Sequence, residues 1–386
     1  MSKNPAELKY LQSLPLEEKI QLTQERIKAW HDAWMRFEIE DERTGRRYFK
    51  TFDMRDRYEP PLADNEFALS EERGAVYVSF SGGKDSTVLK HIVDGMYDEV
   101  PALFINTGLE YPEIQKFAMS QKNVATVRPE MRFDEVIRKY GYPAISKEVS
   151  NTVYGARHGG GTGKWKNTRM QRLRGELLDK DGQKSRYNCE KWGFLLDAPF
   201  EVNDQCCAAM KKKPAKQYQK ESGRMPMVGT MAYESRLRKQ QWVRYGCNSF
   251  DGIKARSAPL SFWTEQDILH YIKKYNVPYC SVYGDIQIKP HGEDAIEGQV
   301  DLIDYLGCYE PEDQLTTTGC DRTGCIFCMF GCHLEKEPNR FQRLKETHPR
   351  QYQYCIGGGE MVDGKWQPNK EGLGLGYVLD YIGVKY

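Results

Sequence analysis

The sequence predicts an α/β protein: a parallel sheet with helices on both faces, preceded by a helical segment and followed by a small cysteine-rich unit. Three observations carry this. From about residue 75, short β-branched and aromatic runs alternate with helical patterns, the arrangement that builds parallel strands. A glycine turn, Ser81-Gly-Gly-Lys-Asp-Ser86, stands between the first such run and the helix after it. Beyond about residue 290 the alternation fades, and four of the eleven cysteines crowd between Cys320 and Cys332.

At roughly 100–200 residues per domain, 386 residues suit two or three cooperating units. The expected segments are a helical piece and connector over 1–70, the α/β domain over 71–290 and the cysteine-rich unit over 291–386. The chain is 29% charged yet 39% hydrophobic, enough apolar content to exclude a wholly disordered chain. The net charge is +1, so a nucleic-acid partner has to be met by a local basic patch. No apolar run reaches the ~18–20 residues of a membrane span, and the opening MSKNPAELKYLQS lacks a signal-peptide core. A cytoplasmic protein without a membrane partner is expected. In that reducing compartment, odd-numbered, clustered cysteines point to metal or redox chemistry rather than a disulfide framework.

In chain order, 14–37 reads as a helix with Ile20, Ile27, Trp30, Trp34 and Phe37 on one face. Residues 41–70 are polar and proline-interrupted, as in a connector. The first strand ends at Phe80, a second runs from Pro101 to Asn106, and Pro112 opens a further helix. The glycine- and lysine-rich stretch 144–175 reads as a loop. Met227-Val-Gly-Thr230 reads as a strand end, and Thr264 as the N-cap of a helix with Asp267 at its third position.

The glycine turn is the strongest chemical signal. Glycines bring backbone N–H groups onto a phosphate without a Cβ in the way, the following helix adds a partial positive charge, and Ser81, Lys84 and Ser86 supply side-chain donors. The Walker A spacing is absent. This hexapeptide after a hydrophobic strand resembles the signature of the PP-loop ATP pyrophosphatases, which cleave ATP between the α and β phosphates. Phe104-Ile-Asn-Thr-Gly-Leu-Glu-Tyr-Pro-Glu113, Gly229-Thr-Met-Ala-Tyr-Glu-Ser-Arg-Leu-Arg238 and Pro259-Leu-Ser-Phe-Trp-Thr-Glu-Gln-Asp267 are similar to segments of their sulfonucleotide-reductase branch, the PAPS and APS reductases, with Thr230 and Met231 departing from the usual residues. The resemblance spans roughly residues 75–285 and implies a Rossmann-like PP-loop core.

It also implies roles. Ser81, Gly82, Gly83, Lys84, Asp85 and Ser86 would hold the phosphates of ATP, bridged by Mg²⁺. Thr107, Gly108 and Glu110 would line the nucleotide cleft. Glu234, Ser235, Arg236 and Arg238 would face the α-phosphate or the acceptor, with Lys84, Asp85, Arg236 and Arg238 catalytic. A surface ion pair is the plainer reading of Glu234 and Arg238.

Two thiolate sets compete for a metal. Cys320-x4-Cys325-x2-Cys328-x3-Cys332 is dense enough by itself to signal a metal site, and resembles the cluster in the ATP-pyrophosphatase component of DNA phosphorothioation systems. The tandem Cys206-Cys207, followed by lysines and Pro214, resembles the APS reductase segment that joins a later Cys-x-x-Cys, here Cys325 and Cys328, around a [4Fe–4S] cluster. That resemblance favours Cys206, Cys207, Cys325 and Cys328, with Cys320 and Cys332 as alternates; structural zinc is the other use of four thiolates. Cys189, Cys247, Cys280, Cys308 and Cys355 lack such company. Reductases carry a nucleophilic cysteine near the C-terminus, and nothing after Cys355 matches it.

Lys164, Lys166, Arg169, Arg172 and Arg174, with Trp165 interleaved, and Lys211, Lys212, Lys213, Lys216 and Lys220 form two basic clusters. They suit a nucleic-acid backbone or a solvated face. The resulting expectation is ATP-dependent, pyrophosphate-releasing adenylation of an acceptor, DNA phosphate or tRNA, in sulfur transfer from a donor such as a cysteine desulfurase. Sulfonucleotide reduction and a nucleotide-sensing subunit without turnover are the alternatives.

Overall fold

The computed structural model describes residues 4–55, 59–60, 62–159, 164–250, 255–289 and 314–386, without the side chains of 164–166. Cys308 and the side chains of Lys164, Trp165 and Lys166 therefore lie outside what is described.

The chain divides into two compact units. One comprises Met1–Ile105, Tyr111–Val127 and Lys216–Thr323; the other comprises Asn106–Glu110, Arg128–Ala215 and Gly324–Tyr386. The expected boundaries at 70/71 and 290/291 are not the lines of this division. The cysteine-rich C-terminal stretch does not stand alone but groups with 128–215, and Cys320 falls on the other side of the line.

In the first unit, α1 (Pro5–Ser13) and α2 (Leu16–Ala33) lead into a three-stranded antiparallel sheet, β1 (Trp34–Asp41), β2 (Arg46–Asp53) and β3 (Glu66–Arg73), in the order β2-β1-β3. This corrects the expectation of a helix to residue 37 and a connector over 41–70. Trp30, Trp34 and Phe37 fit a helical spacing, but Met35, Phe37 and Ile39 alternate with polar residues. The alternation decides, because those three side chains form the buried face of this sheet.

The central sheet has the order β6-β5-β4-β7-β9-β8. β4 (Val76–Phe80), β5 (Ala102–Ile105), β6 (Val124–Val127), β7 (Met225–Val228) and β9 (Arg256–Ser257) are parallel, and β8 (Asn248–Ser249) closes the edge antiparallel. β4 is buried along nearly its whole length, as a strand covered on both faces must be. α3 (Lys84–Asp94) packs Val88, Leu89, Ile92 and Val93 into the same core as Val76, Val78, Phe80, Leu260 and Trp263. Pro112 does open α4 (Pro112–Ser120). Thr264 caps α10 (Glu265–Tyr275) through a box with Asp267, whose carboxylate also accepts from Lys19 Nζ at 2.8 and 2.9 Å, tying α2 to α10.

In the second unit, α5 (Phe133–Tyr140), α6 (Lys147–His158) and α7 (Lys164–Arg174) precede Cys206. α6 and α7 replace the loop expected over 144–175. Ser146 caps α6 by accepting from the Val149 amide, and Gly155 lets the Arg169 guanidinium of α7 lie where a Cβ would otherwise stand. Gly155 thus serves helix packing and Gly159 ends α6, while Gly160, Gly161 and Gly163 lie outside the described residues. α8 (Lys213–Ser222) and α9 (Arg236–Tyr245) flank β7 in sequence. The C-terminal stretch carries α11 (Arg340–Thr347), α12 (Pro349–Ile356) and α13 (Leu375–Tyr381). Among the described residues, no helix is long and apolar enough to cross a membrane.

Candidate active site and thiol cluster

The phosphate loop sits where β4 ends and α3 begins, at the carboxyl edge of the central strand, the position where open α/β sheets bind ligands. Gly82 has φ +73°, and a Cβ there would meet Ile114 Cγ2 at 2.9 Å and the Ile114 carbonyl oxygen at 3.2 Å. Only glycine satisfies both the backbone and the space. The loop is braced from within: the Ser81 amide donates to Ser86 Oγ at 3.1 Å, and Ser86 Oγ and Thr87 Oγ1 donate to the Gly83 carbonyl at 2.9 and 3.0 Å. β7 approaches so closely that a Cβ on Gly229 would stand 3.1 Å from the Asp85 carbonyl oxygen.

Lys84 is buried; its Nζ donates to the Asp321 carbonyl at 2.5 Å and pairs with Glu265 at 2.9 Å. Its backbone N–H donates to the Tyr283 hydroxyl at 3.2 Å, which in turn meets Thr323 Oγ1 at 2.7 Å. Asp85 Oδ1 is buried without a hydrogen-bond partner. Burial pushes its carboxyl above the usual range, with Lys84, Arg322 and Arg238 opposing. A buried carboxylate oxygen with no protein partner, at a phosphate loop, is a fitting ligand for a hard divalent cation such as Mg²⁺.

Ser235 caps α9 by accepting from the Arg238 amide, and Glu234 accepts from the Met231 amide at 2.9 Å. The Glu234 carboxylate bridges two guanidinium groups, Arg238 on one oxygen and Arg322, at 3.1 Å, on the other. Arg236 and Ser235 are exposed. Tyr283, Glu265 and the Asp321–Thr323 segment were not anticipated as part of this site. Their polar character was visible in the sequence, but only the fold brings residues some 200 positions away onto the loop.

Thr107, Gly108 and Glu110 group with the second unit. The Glu110 carboxylate accepts from the Thr107 amide at 3.0 Å and from Thr107 Oγ1 at 2.7 Å, closing the turn after β5. Glu110, which the resemblance has lining the nucleotide cleft, also interacts electrostatically with Lys211 and Cys325.

Cys206 and Cys207 begin a helix that continues as a π-helical stretch, Ala208–Lys212, before α8; such stretches concentrate at functional sites. Their sulfurs are 4.0 Å apart. Cys206 and Cys207 share electrostatic interactions with Cys325, Cys328, Lys211 and Lys147. The hydrogen bond from Cys206, then Lys147 and Lys211, lower the Cys207 thiol to about 5. That same bond, together with burial, pushes Cys206 far up. Burial raises Cys325 to about 11, against Lys211. The Cys325–Cys328 turn is pinned by the Ile326 amide on the Leu109 carbonyl at 2.8 Å, and the Cys328 carbonyl accepts from Arg340 at 2.8 Å.

Of the alternates, Cys332 is buried and interacts with Cys328, while Cys320 lies in the first unit and interacts with Cys280. The tandem pair thus interacts with the Cys-x-x-Cys, and Cys332 with Cys328. Among the described residues, no three His, Cys, Asp or Glu side chains meet around one metal-ion position. A tetrahedral zinc would need its sulfurs about 2.3 Å from a single point. A four-iron cluster takes one thiolate on each iron, and thiols beside Lys147 and Lys211 are the donor type it uses.

The basic segments are partly spent internally. Arg172 pairs with Glu148 and donates to the Tyr187 carbonyl at 2.8 Å, Lys213 pairs with Glu130, and half-buried Lys211 serves the thiols. Lys212, Lys216 and Lys220 are exposed.

Fold and site together define an α/β adenine-nucleotide protein of the sulfonucleotide-related kind. The phosphoadenosine phosphosulfate reductase domain model matches residues 75–148 and 170–329, more than half of the chain, and the protein belongs to that family. An uncharacterised protein of Methanocaldococcus jannaschii is 34% identical over 83 residues. That match spans 20% of this chain and 20% of the relative, so the chain matches about a fifth of that protein's length. The crystal structure of a phosphoadenylyl-sulfate reductase from Candida auris in complex with phosphate is 16% identical, covering 54% of this chain and 75% of that one, with a TM-score of 0.29.

Proposed function

We propose that the protein uses ATP to adenylate an acceptor oxygen, releasing pyrophosphate, within a sulfur-transfer reaction whose acceptor is a nucleic acid. The observation that carries this reading is the phosphate loop: a glycine turn between β4 and α3, a buried lysine, and an unpartnered Asp85 oxygen at the start of α3. The loop amides and Lys84 would hold the β and γ phosphates, and Asp85 would hold Mg²⁺, which would supply positive charge to offset that of the phosphates. Arg238 would steady charge on the α-phosphate, since a guanidinium matches a phosphate with parallel hydrogen bonds. The acceptor oxygen attacks the α-phosphorus and pyrophosphate leaves; a sulfur nucleophile then displaces AMP. Cys206, Cys207, Cys325 and Cys328 would hold a [4Fe–4S] cluster, whose chemistry when bound is to retain sulfur or pass electrons. A cysteine desulfurase is the class of donor such a step requires.

Pyrophosphate release from ATP, measured with DNA and with tRNA as acceptors, tests this. Lys84→Ala should abolish it, and unchanged turnover in that variant would remove the loop from the mechanism. Family membership favours a second reading, sulfonucleotide reduction. That reaction needs an accessible nucleophilic thiol, and Cys355 is fully buried, its thiol raised by that burial. Sulfite release from PAPS with thioredoxin would support the second reading over the first.

A further inference from the structure

Resting on the ATP-binding reading, we infer that Arg322 is a phosphate-binding residue of the nucleotide site. It is supplied by the Asp321–Thr323 segment rather than by the loop or the strand ends. Three contacts lay this segment on the phosphate loop. The Asp321 carbonyl accepts from Lys84 Nζ, Thr323 Oγ1 meets the same Tyr283 hydroxyl that accepts from the Lys84 amide, and a Cβ on Gly83 would stand 3.3 Å from Thr323 Oγ1. Arg322, between the two, donates to Glu234, the carboxylate that also takes Arg238.

The charges explain why a phosphate chain belongs there. Lys84, Arg238 and Arg322 face Asp85, Glu234 and Glu265, and every one of the three cations rests on a carboxylate. Glu234 and Glu265 stand as anionic place-holders. A triphosphate, with several negative charges and many acceptor oxygens, outcompetes single carboxylates for two guanidinium groups and an ammonium. Arg322 is the most exposed of the three, with 56% of its side chain accessible. Its guanidinium can therefore turn from Glu234 to an incoming phosphate, with Arg238 still pairing the buried Glu234 carboxylate. The sequence between Cys320 and Cys325 thus has a duty of its own, apart from spacing thiols.

The test is calorimetric titration of the full chain with ATP and, separately, adenosine, for wild type, Lys84→Ala, Arg322→Ala and Arg322→Lys. Arg322→Ala should weaken ATP roughly 10- to 100-fold, the span of a lost charge-assisted hydrogen bond. It should leave adenosine affinity and melting temperature unchanged, and Arg322→Lys should recover part of the loss. ATP affinity in Arg322→Ala equal to wild type, with Lys84→Ala weakened, overturns the role of Arg322 and leaves the ATP site standing. Equal weakening of ATP and adenosine overturns it too, by showing a structural effect. Absence of ATP binding in wild type overturns the ATP reading itself, and this inference with it.

Discussion

Replacing Gly82 by alanine puts a number on how tightly the phosphate loop is built. The residue sits at φ +73°, where an L side chain costs about 1–2 kcal/mol. Its new Cβ would also meet Ile114 Cγ2 at 2.9 Å and the Ile114 backbone oxygen at 3.2 Å. Overpacking of that kind costs about 1–3 kcal/mol, giving a loss of about 2–5 kcal/mol. Gly45, in the hairpin between β1 and β2, is the internal control. Its φ is +65°, but nothing lies within 4 Å of its added Cβ, so Gly45→Ala should lose only the backbone term. Both substitutions change the unfolded chain alike, so the difference isolates the contact with α4. Urea unfolding followed by circular dichroism measures it. Losses matching to within about 0.5 kcal/mol, the scale of an ordinary surface change, would refute the steric account of the loop.

Lys84→Ala and Arg322→Ala extend the same site to function, with the turnover and affinity losses given above. Anaerobically prepared protein should carry about four irons per chain; the Cys206→Ser/Cys207→Ser pair should lose them and Cys320→Ser should keep them, as read by iron and sulfide analysis. The reverse pattern would return the cluster to the local cysteines. In the three-stranded antiparallel sheet, the Ala63 amide, then Lys50 and Tyr48, hold Glu66 at about 2, below its ordinary 4.5. A depressed carboxyl stabilises fully above the ordinary value and loses that contribution as pH falls towards about 2. Acid unfolding of Glu66→Gln should therefore be flatter than wild type across that window, and parallel curves would exclude the pairing as a source of acid sensitivity.

What was legible in the sequence was local. The strand, glycine turn and helix around Ser81–Ser86, the proline that opens α4 and the Thr264 cap all declare themselves within a few residues, because sterics and capping act at that range. Two kinds of feature were hidden. In β1, the aromatic spacing satisfies a helix and a strand at once, and only the pairing with β2 and β3 resolves it. At the site, Tyr283 and Arg322 act across some 200 and 90 positions respectively; neither carries a local pattern that separates it from an ordinary surface residue. The tandem cysteines lie between these cases. Their spacing was readable, but the π-helical stretch after them and the service of Lys211 and Glu110 to the thiols were not.

The division of the chain also bears on how the protein comes to exist. The backbone changes unit after residues 105, 110, 127, 215 and 323, so neither unit is a continuous stretch that a ribosome could release and let fold. The phosphate loop is synthesised by residue 86, yet Arg322 follows more than 200 residues later. At elongation rates of about 5–20 residues per second, the loop waits on the order of 10–50 s for it. β4 itself lacks its second neighbour until β7 (Met225–Val228) is made, and for that time its uncovered edge is open to chaperones and to neighbouring nascent chains. Fragments cut at any single point inherit the same defect, so expression of one unit alone should yield aggregate, and a functional split protein would have to be reassembled from pieces that meet before either is folded.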